Sequence, residues 1–504
     1  MSAGGCRAGD RGALAIVLHT HMPYVEGFGT WPFGEEWLWE AIVGSYVPLL
    51  DLLDAGAPLT LSLTPVLCDQ LQAPGVEERF ATFIEEVRSR THAEDVAGMR
   101  AAGHEELARE LERSWGDYEH ALGALRDRGG DLRAALAPHA QWTSAATHAV
   151  LPLLATDDGI RLQVHTGVAS HRARFGEGWR GGFWLPECAH VARLEPLLAE
   201  AGVHATCVEL TARFGVGARE HLRPLEGDAG LTLVPIDRQT IDLVWHDRGY
   251  PADAVYRDYH HHTVHHHTPW SNGGDAYDHA RGIARAREHA ADFVTRTLAH
   301  LHDHASGLPG GGLVVCALDT ELLGHWWYEG VAWLEAVVEQ CAARGLELLR
   351  LDDALERFEP LPASEWRGPD SRVGRRAAGE GAASSWGAGG DLSTWSGPSV
   401  VDAAFAVRGA ELETMTVRPR ASRAALRELL ALQSSDWPFM LSRTIAADYA
   451  RERLAGHRAA LRTALQEPAA TIGAAATLRN LAVYVAGEGE PPSEQQQRAD
   501  GSVN

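Results

Sequence analysis

The sequence predicts an α/β fold: a barrel of parallel strands carrying a helical insertion, followed by a smaller helical domain. Three observations predict it. Apolar runs of five to seven residues recur along the first 350 positions, each closed by polar or Pro/Gly punctuation. Such runs are strands buried on both faces, which means a parallel sheet covered by helices. Helical patterns alternate with them, and the alternation favours a barrel over an open sheet. Finally, 504 residues exceed one small domain yet accommodate a barrel of roughly 250 residues plus a second unit.

In chain order, the strand-like runs are ALAIVL (13–18), LTLSL (59–63), HATCVEL (204–210), LTLVPI (231–236), LVVCAL (313–318) and the weaker LELLRL (346–351). Helical patterns include LEPLLAEAG (194–202) and VAWLEAVVEQCAARG (331–345). The second ends in Arg and Gly, as a helix C-terminus should. Residues 75–150 are charged and helical and read as an insertion. Residues 361–395, rich in Gly, Ser, Ala and Arg, read as a connector. Three helical patterns then run from about 403 to 485: ASRAALRELLALQSSDW, IAADYARERLAGHRAALRTAL and TIGAAATLRNLAVYVAG. The expected division is a barrel over 1–360, a connector over 361–402, a helical domain over 403–485 and a disordered tail over 486–504. No G-x-G-x-x-G follows the first strand, which argues against a dinucleotide fold.

Lys and Arg number 45 against 68 Asp and Glu, a net charge of −23. That balance excludes nucleic acid or an anionic membrane surface as the expected partner. No stretch of 18 apolar residues predicts a membrane span, and MSAGGCRAGDRG lacks the apolar core of a secretory signal. Six scattered cysteines without a C-x-x-C pair suit reduced thiols in a cytoplasmic protein. Sixteen Trp stand against five Met. Flat apolar faces stack on sugar rings, and the alternative is extra Trp in cores and interfaces.

Four segments carry candidate chemistry. GGFWLPECAH (181–190) holds a lone carboxylate, Glu187, in an apolar run. An ionised acid there needs compensation, so Glu187 is neutralised, ion-paired or part of a site. LHTHMPY (18–24) ends the first strand, and His19 and His21, two apart, share one face. Residues at the carboxyl end of a barrel strand build the active site. There the pair ligates a metal, hydrogen-bonds a polar ligand, or is simply two satisfied buried histidines. CALDTELLGHWWYEG (316–330) puts Asp319 directly after a strand, with Glu321, His325 and Trp326 beyond. Asp319 alone reads as a helix N-cap. Together with Glu187 it fits the carboxylate pair of glycoside chemistry. Upstream, His165, His171 and Arg174 are candidates to lend charge to the site. DYHHHTVHHHTPW (258–270) has six histidines in eight residues and reads as a solvated loop, with metal binding the alternative.

Taken together, these segments resemble glycoside hydrolase family 57. LHTHMPYV, LTLSLTPVLCDQL, GFWLPECA and CALDTELLGHWW are similar to that family's first four sequence regions. Within it, SWGAGGDLSTW (385–395) and QSSDWPFML (433–441) resemble the C-terminal segments of 1,4-α-glucan branching enzymes. The resemblance implies an incomplete, TIM-like (β/α)7 barrel with a C-terminal helical domain, an α-glucan substrate and no cofactor or metal. It implies Glu187 as nucleophile and Asp319 as general acid/base, with His19 and His21 beside the cleaved bond. His165, Trp184, Trp270, His325 and Trp326 become further substrate-contact candidates, and Trp386, Trp395 and Trp437 candidate glucan-stacking residues. VWHDRGYPADAVYRDYH (244–260) is similar to a loop credited with favouring transfer, and Tyr250 is its candidate residue. The chain departs from that pattern at Ala252 and in the histidine run. Rival readings are an α-amylase or 4-α-glucanotransferase, a metal-dependent hydrolase using the H-x-H pair, and a non-catalytic glucan-binding protein.

Overall fold

The structure, a computed structural model, describes residues 12–29, 34–367, 383–417, 421–466 and 477–485. Among them are nine strands: β1 (Ala13–Thr20), β2 (Thr60–Leu63), β3 (Ala140–Ser144), β4 (Gly182–Trp184), β5 (Ala205–Val208), β6 (Leu225–Glu226), β7 (Thr232–Pro235), β8 (Leu313–Asp319) and β9 (Glu347–Leu348). Seven pair in parallel in the order β7-β5-β4-β3-β2-β1-β8. The short β6 adds antiparallel to β7, and β9 touches β1 over two residues. Helices cover the outside of this curled, incomplete (β/α)7 barrel, so strands such as β1 and β2 are buried throughout.

The open seam lies between β7 and β8. One backbone hydrogen bond crosses it, from the Asp237 N–H to the Val315 carbonyl (2.8 Å). The Asp237 side chain caps the helix Arg238–Trp245 and faces the His300 imidazole at 2.7 Å. Both groups are buried, so this contact ties the strand-7 side to the helix that precedes β8.

The insertion is helical from Val76 to Leu136 and built on the pair Ser89–Ala101 and Glu105–Asp127. It stops short of the expected boundary at 150, because AQWTS (140–144) is a barrel strand. Its five residues alternate too weakly to announce a strand, and tertiary packing of Trp142 beneath Gly182 settles its fate. The C-terminal helices are Val401–Val417, Arg423–Leu432, Asp436–Arg443 and Ala447–Gln466. Leu426, Leu429, Leu430 and Leu461 share one apolar cluster with Tyr24, Val66 and Leu162 of the barrel. Residues 477–485, read from sequence as helical, form a turn and an extended run instead. The Ala482 and Tyr484 N–H groups donate to Ser170 and Thr166, so side chains of the helix Asp157–Phe175 replace intrahelical partners. The tail 486–504 and part of the connector (368–382) lie outside the described residues. No helix among the described residues is long and apolar enough to cross a membrane.

Candidate active site

Three strands bring their carboxyl ends to one level. His19 pairs in register with Ser62 on one side and with Asp319 on the other. Register therefore explains both the His19 Nδ1 to Ser62 Oγ contact (3.2 Å) and the place of Asp319 beside His19. Asp319 makes no side-chain capping bond to the turn that follows, so the N-cap reading fails.

Glu187 arrives differently. β4 ends at Trp184, and Pro186 fixes the chain just before the acid. Glu187 and Cys188 then both take positive φ (62° and 48°). Two successive non-glycine residues in that region store roughly 1–3 kcal/mol each, a cost that surrounding structure must impose. The Trp386 N–H holds the Glu187 carbonyl (3.1 Å), and Trp386 Nε1 donates to Glu187 Oε2 (2.9 Å). Both ends of the acid are thus fixed by one residue of the 383–396 segment.

Glu187 and Asp319 line a single cleft of about 1750 Å³ at the barrel mouth. Burial pushes the Glu187 carboxyl up to about 7, against hydrogen bonds from Trp386 and Ser435 that pull it down. Burial pushes Asp319 well above the usual carboxylate range, and the charges of Glu321 and Glu187 push it further. Glu321, also raised to about 7 by burial, accepts the Tyr46 hydroxyl (2.6 Å) and the His21 N–H (3.1 Å). Of the two strand-end acids, Asp319 is the one whose environment holds a proton, and Glu187 is the one supplied with donors.

A stack of imidazoles supports this arrangement. His148 lies between His21 (4.1 Å) and His19 (4.8 Å), and Trp184 backs His19 at 4.7 Å. His19 Nε2 meets His148 Nε2 at 2.9 Å, and His148 Nδ1 meets Ser435 Oγ at 2.8 Å. With tautomers assigned so that each group donates to the next, protons point from Ser62 through His19 and His148 to Ser435, which donates to Glu187. Burial, then the neighbouring His21 charge, lowers His19 and His148 well below the usual imidazole range, so both are neutral. His21 behaves oppositely. Burial lowers it, but the charge and hydrogen bond of Asp436, helped by Glu321 and Glu187, outweigh burial and raise it. The site therefore favours a charged His21 among its acids. Each nitrogen of the H-x-H pair already has a protein partner: Ser62 and His148 for His19, Thr64 and Asp436 for His21.

Several sequence candidates fall elsewhere. His165 sits on the helix Asp157–Phe175, stacked on Tyr484 at 4.5 Å and outside the cleft. His171 packs on Phe175, and Arg174 binds Gln72 and the Asn480 carbonyl. The Tyr250 hydroxyl donates to Asp292 (2.8 Å) and its ring stacks on His289, away from the carboxylates. Trp270 stacks on His261 rather than on the cleft. Trp184 is wholly buried beneath His19, and Trp395 is 2% exposed in the floor under Gly387. Trp437, fully buried, donates to the Ala431 carbonyl and plugs the helical domain. Seven of the sixteen Trp are buried, Trp39, Trp142, Trp327 and Trp333 among them, so the surplus serves the core as well as the cleft. His325, Trp326, Trp386 and, despite its low exposure, Trp395 do line the cleft. The histidine run is a loop, exposed at His260, His261, His262 and Val264 as expected, but it is anchored to the protein and borders the cleft. His265 meets Asp95 (2.8 Å), and His260, His262, His266 and His267 line the cleft.

Sequence reasoning missed His148, Ser435 and Asp436. His148 follows the unrecognised β3 at φ 58°, a conformation no pattern announces. In QSSDWPFML attention went to the Trp, whereas the Ser-Asp pair before it reaches the site.

Comparison with known proteins bears on the whole chain. Residues 142–362 match the sequence profile of glycosyl hydrolase family 57, and residues 402–482 that of the 1,4-alpha-glucan branching enzyme C-terminal domain. The chain is 31% identical to the 1,4-alpha-glucan branching enzyme TK1436 of Thermococcus kodakarensis, over 89% of this chain and 72% of that protein. It is 32% identical to the probable 1,4-alpha-glucan branching enzyme Rv3031 of Mycobacterium tuberculosis, over 90% of this chain and 91% of that one. The crystal structure of TK1436 with glucose superposes with a TM-score of 0.81 at 27% identity, over 96% of this chain and 98% of that chain.

Proposed function

Since the chain belongs to glycosyl hydrolase family 57, we propose that it is a 1,4-α-glucan branching enzyme working by retaining double displacement on Glu187 and Asp319. The supporting observation is the split between the two acids. Asp319 is held protonated by burial and by negative neighbours, while Glu187 receives donors and faces the His21 cation. Paired carboxylates whose surroundings push their proton affinities apart identify acid and nucleophile.

In the first step the Glu187 carboxylate attacks the anomeric carbon of an α-1,4 linkage. Asp319 gives its proton to the departing glycosidic oxygen, and the released chain carries a new 4-hydroxyl. Glu187, now an ester, is uncharged, and one of the negative charges that kept Asp319 protonated is gone. Asp319 has meanwhile lost its proton. Its carboxylate therefore stays ionised between the steps, and its high proton affinity returns as the ester breaks and Glu187 regains its charge. In the second step Asp319 takes the proton of an incoming 6-hydroxyl as that oxygen attacks the anomeric carbon. The ester bond breaks, the α-1,6 bond forms, and both acids return to their starting states. The Ser62–His19–His148–Ser435 relay keeps a neutral donor on Glu187 throughout, steadying the carboxylate as it leaves.

His19, His21, Trp386 and Asp436 surround Glu187 and form the subsite for the sugar that becomes attached to it. The α-amylase and 4-α-glucanotransferase readings share these acids but not the product. Proton NMR of amylose treated with the protein distinguishes them. New α-1,6 anomeric signals are expected; shortened or rearranged α-1,4 chains alone would refute branching.

A further inference from the structure

The histidine run and the helical insertion meet in one arm of the cleft, where Arg88 holds the His265 carbonyl (2.6 Å). We propose that this arm binds the acceptor glucan, with the Tyr259–Trp326 ring pair as its wall and the Glu36–Arg88–Glu40 network as its floor. The inference rests on the transfer reading above and assigns where the incoming chain lies.

The side of the cleft follows from the chemistry. The bound sugar stays with Glu187, and the acceptor must approach Asp319, which removes its proton. The 383–396 segment is tied to Glu187. The loop that follows Asp319 carries Trp326, whose backbone N–H is held by the Glu321 carbonyl (3.1 Å). Trp326 is 44% exposed, yet its ring is fixed against Tyr259 at 4.4 Å and 32°. A rigid, exposed aromatic face in a concave site is what the apolar face of a glucose ring stacks on.

The floor supplies the polar half of sugar recognition. Arg88 is buried and reaches Glu36 Oε1 (3.0 Å), Glu40 and the His265 carbonyl (2.6 Å). It thereby joins the barrel's first helix, the insertion and the histidine run into one wall. Tyr118 donates to Glu40 Oε2 (3.0 Å). Glu36 is 3% exposed, lines the cleft, and its Oε2 has no hydrogen-bond partner among the described residues. Burial pushes the Glu36 carboxyl up to about 8, and a buried carboxyl oxygen without a partner is costly in either form; a hydroxyl of a bound sugar, able to donate or accept, supplies one. His262, whose Nδ1 donates to the Thr263 carbonyl (3.0 Å), keeps Nε2 as an acceptor on the same arm, with the His266 ring 4.7 Å away.

The test measures, on amylose, the fraction of cleavage events that end in an α-1,6 linkage. Debranched chains count transfers, and new reducing ends count hydrolysis. Wild type, Trp326→Ala and the isosteric Glu36→Gln are compared, with and without added maltoheptaose as acceptor. Each variant should lower the transfer fraction at least five-fold, and maltoheptaose should restore it with a half-saturating concentration at least five-fold above wild type. A fraction within two-fold of wild type in both variants would overturn the acceptor arm. So would a loss that maltoheptaose does not rescue, since a deformed cleft is not repaired by mass action. Absence of α-1,6 linkages from the wild type itself would overturn the branching reading, and this arm with it.

Discussion

Trp386→Phe keeps an aromatic ring, though a smaller one, and removes the Nε1–H that donates to Glu187 Oε2 at 2.9 Å. A hydrogen bond to a charged group is worth about 1.5–3 kcal/mol. At about 1.4 kcal/mol per pKa unit, the loss raises the Glu187 carboxyl by about 1–2 units. The direction follows because the bond favours the ionised form, so removing it favours the proton. Glu187 begins near 7, about half ionised at pH 7. A rise of 1–2 units leaves ~10% to ~1% ionised, so kcat/KM at pH 7 should fall roughly five- to fifty-fold. The assay is the pH profile of kcat/KM for amylose cleavage. Its acidic limb, which reports the apparent constant of the carboxylate pair, should move to higher pH by about 1–2 units. An acidic limb that stays within about 0.3 units of wild type would refute the role given to Trp386.

Three other outcomes follow from the same structure. Glu187→Gln should stabilise the fold at high pH: burial raises the carboxyl from 4.5 to about 7, so the wild type loses about 3 kcal/mol as pH rises through that window. Its thermal midpoint should exceed wild type by a few degrees at pH 8 and by less at pH 5, and an equal or lower midpoint at pH 8 contradicts this. Asp436→Asn removes the main charge opposing burial at His21, so that imidazole should titrate lower than in the wild type, read by NMR of labelled histidine; an unmoved titration refutes the pairing. Trp437→Ala should cost about 3–5 kcal/mol of stability while leaving the transfer-to-hydrolysis ratio of the surviving folded enzyme within two-fold, because Trp437 is buried against Tyr449 and His457; a stable variant with an altered ratio would restore it to the cleft.

The strands buried on both faces were legible because parallel barrels write them as continuous apolar runs, and β1, β2, β5, β7 and β8 all appear that way. β3 and β4 were not, since five and three residues carry no period and Gln141 or Gly182 breaks the apolar signal. Glu187 and Asp319 stood out because an acid at the end of an apolar run is anomalous in one dimension. Asp436 and Ser435 are ordinary helix-start residues in sequence, and only the packing of Leu426 and Leu430 against the barrel swings them to His21 and His148. The stacking tryptophans illustrate the opposite error. Composition counts rings but not their depth, and of the three stacking candidates Trp395 and Trp437 are buried while Trp386 is only partly so.

The most direct test of the account is to trap the sugar on its nucleophile. Asp319→Asn, treated with α-maltosyl fluoride, can still be glycosylated because fluoride leaves without an acid, but nothing then activates the acceptor. Mass spectrometry of the digested protein should find a maltosyl adduct on the peptide that carries Glu187. A fully unmodified Glu187 peptide, or the adduct on Glu321 instead, would contradict it.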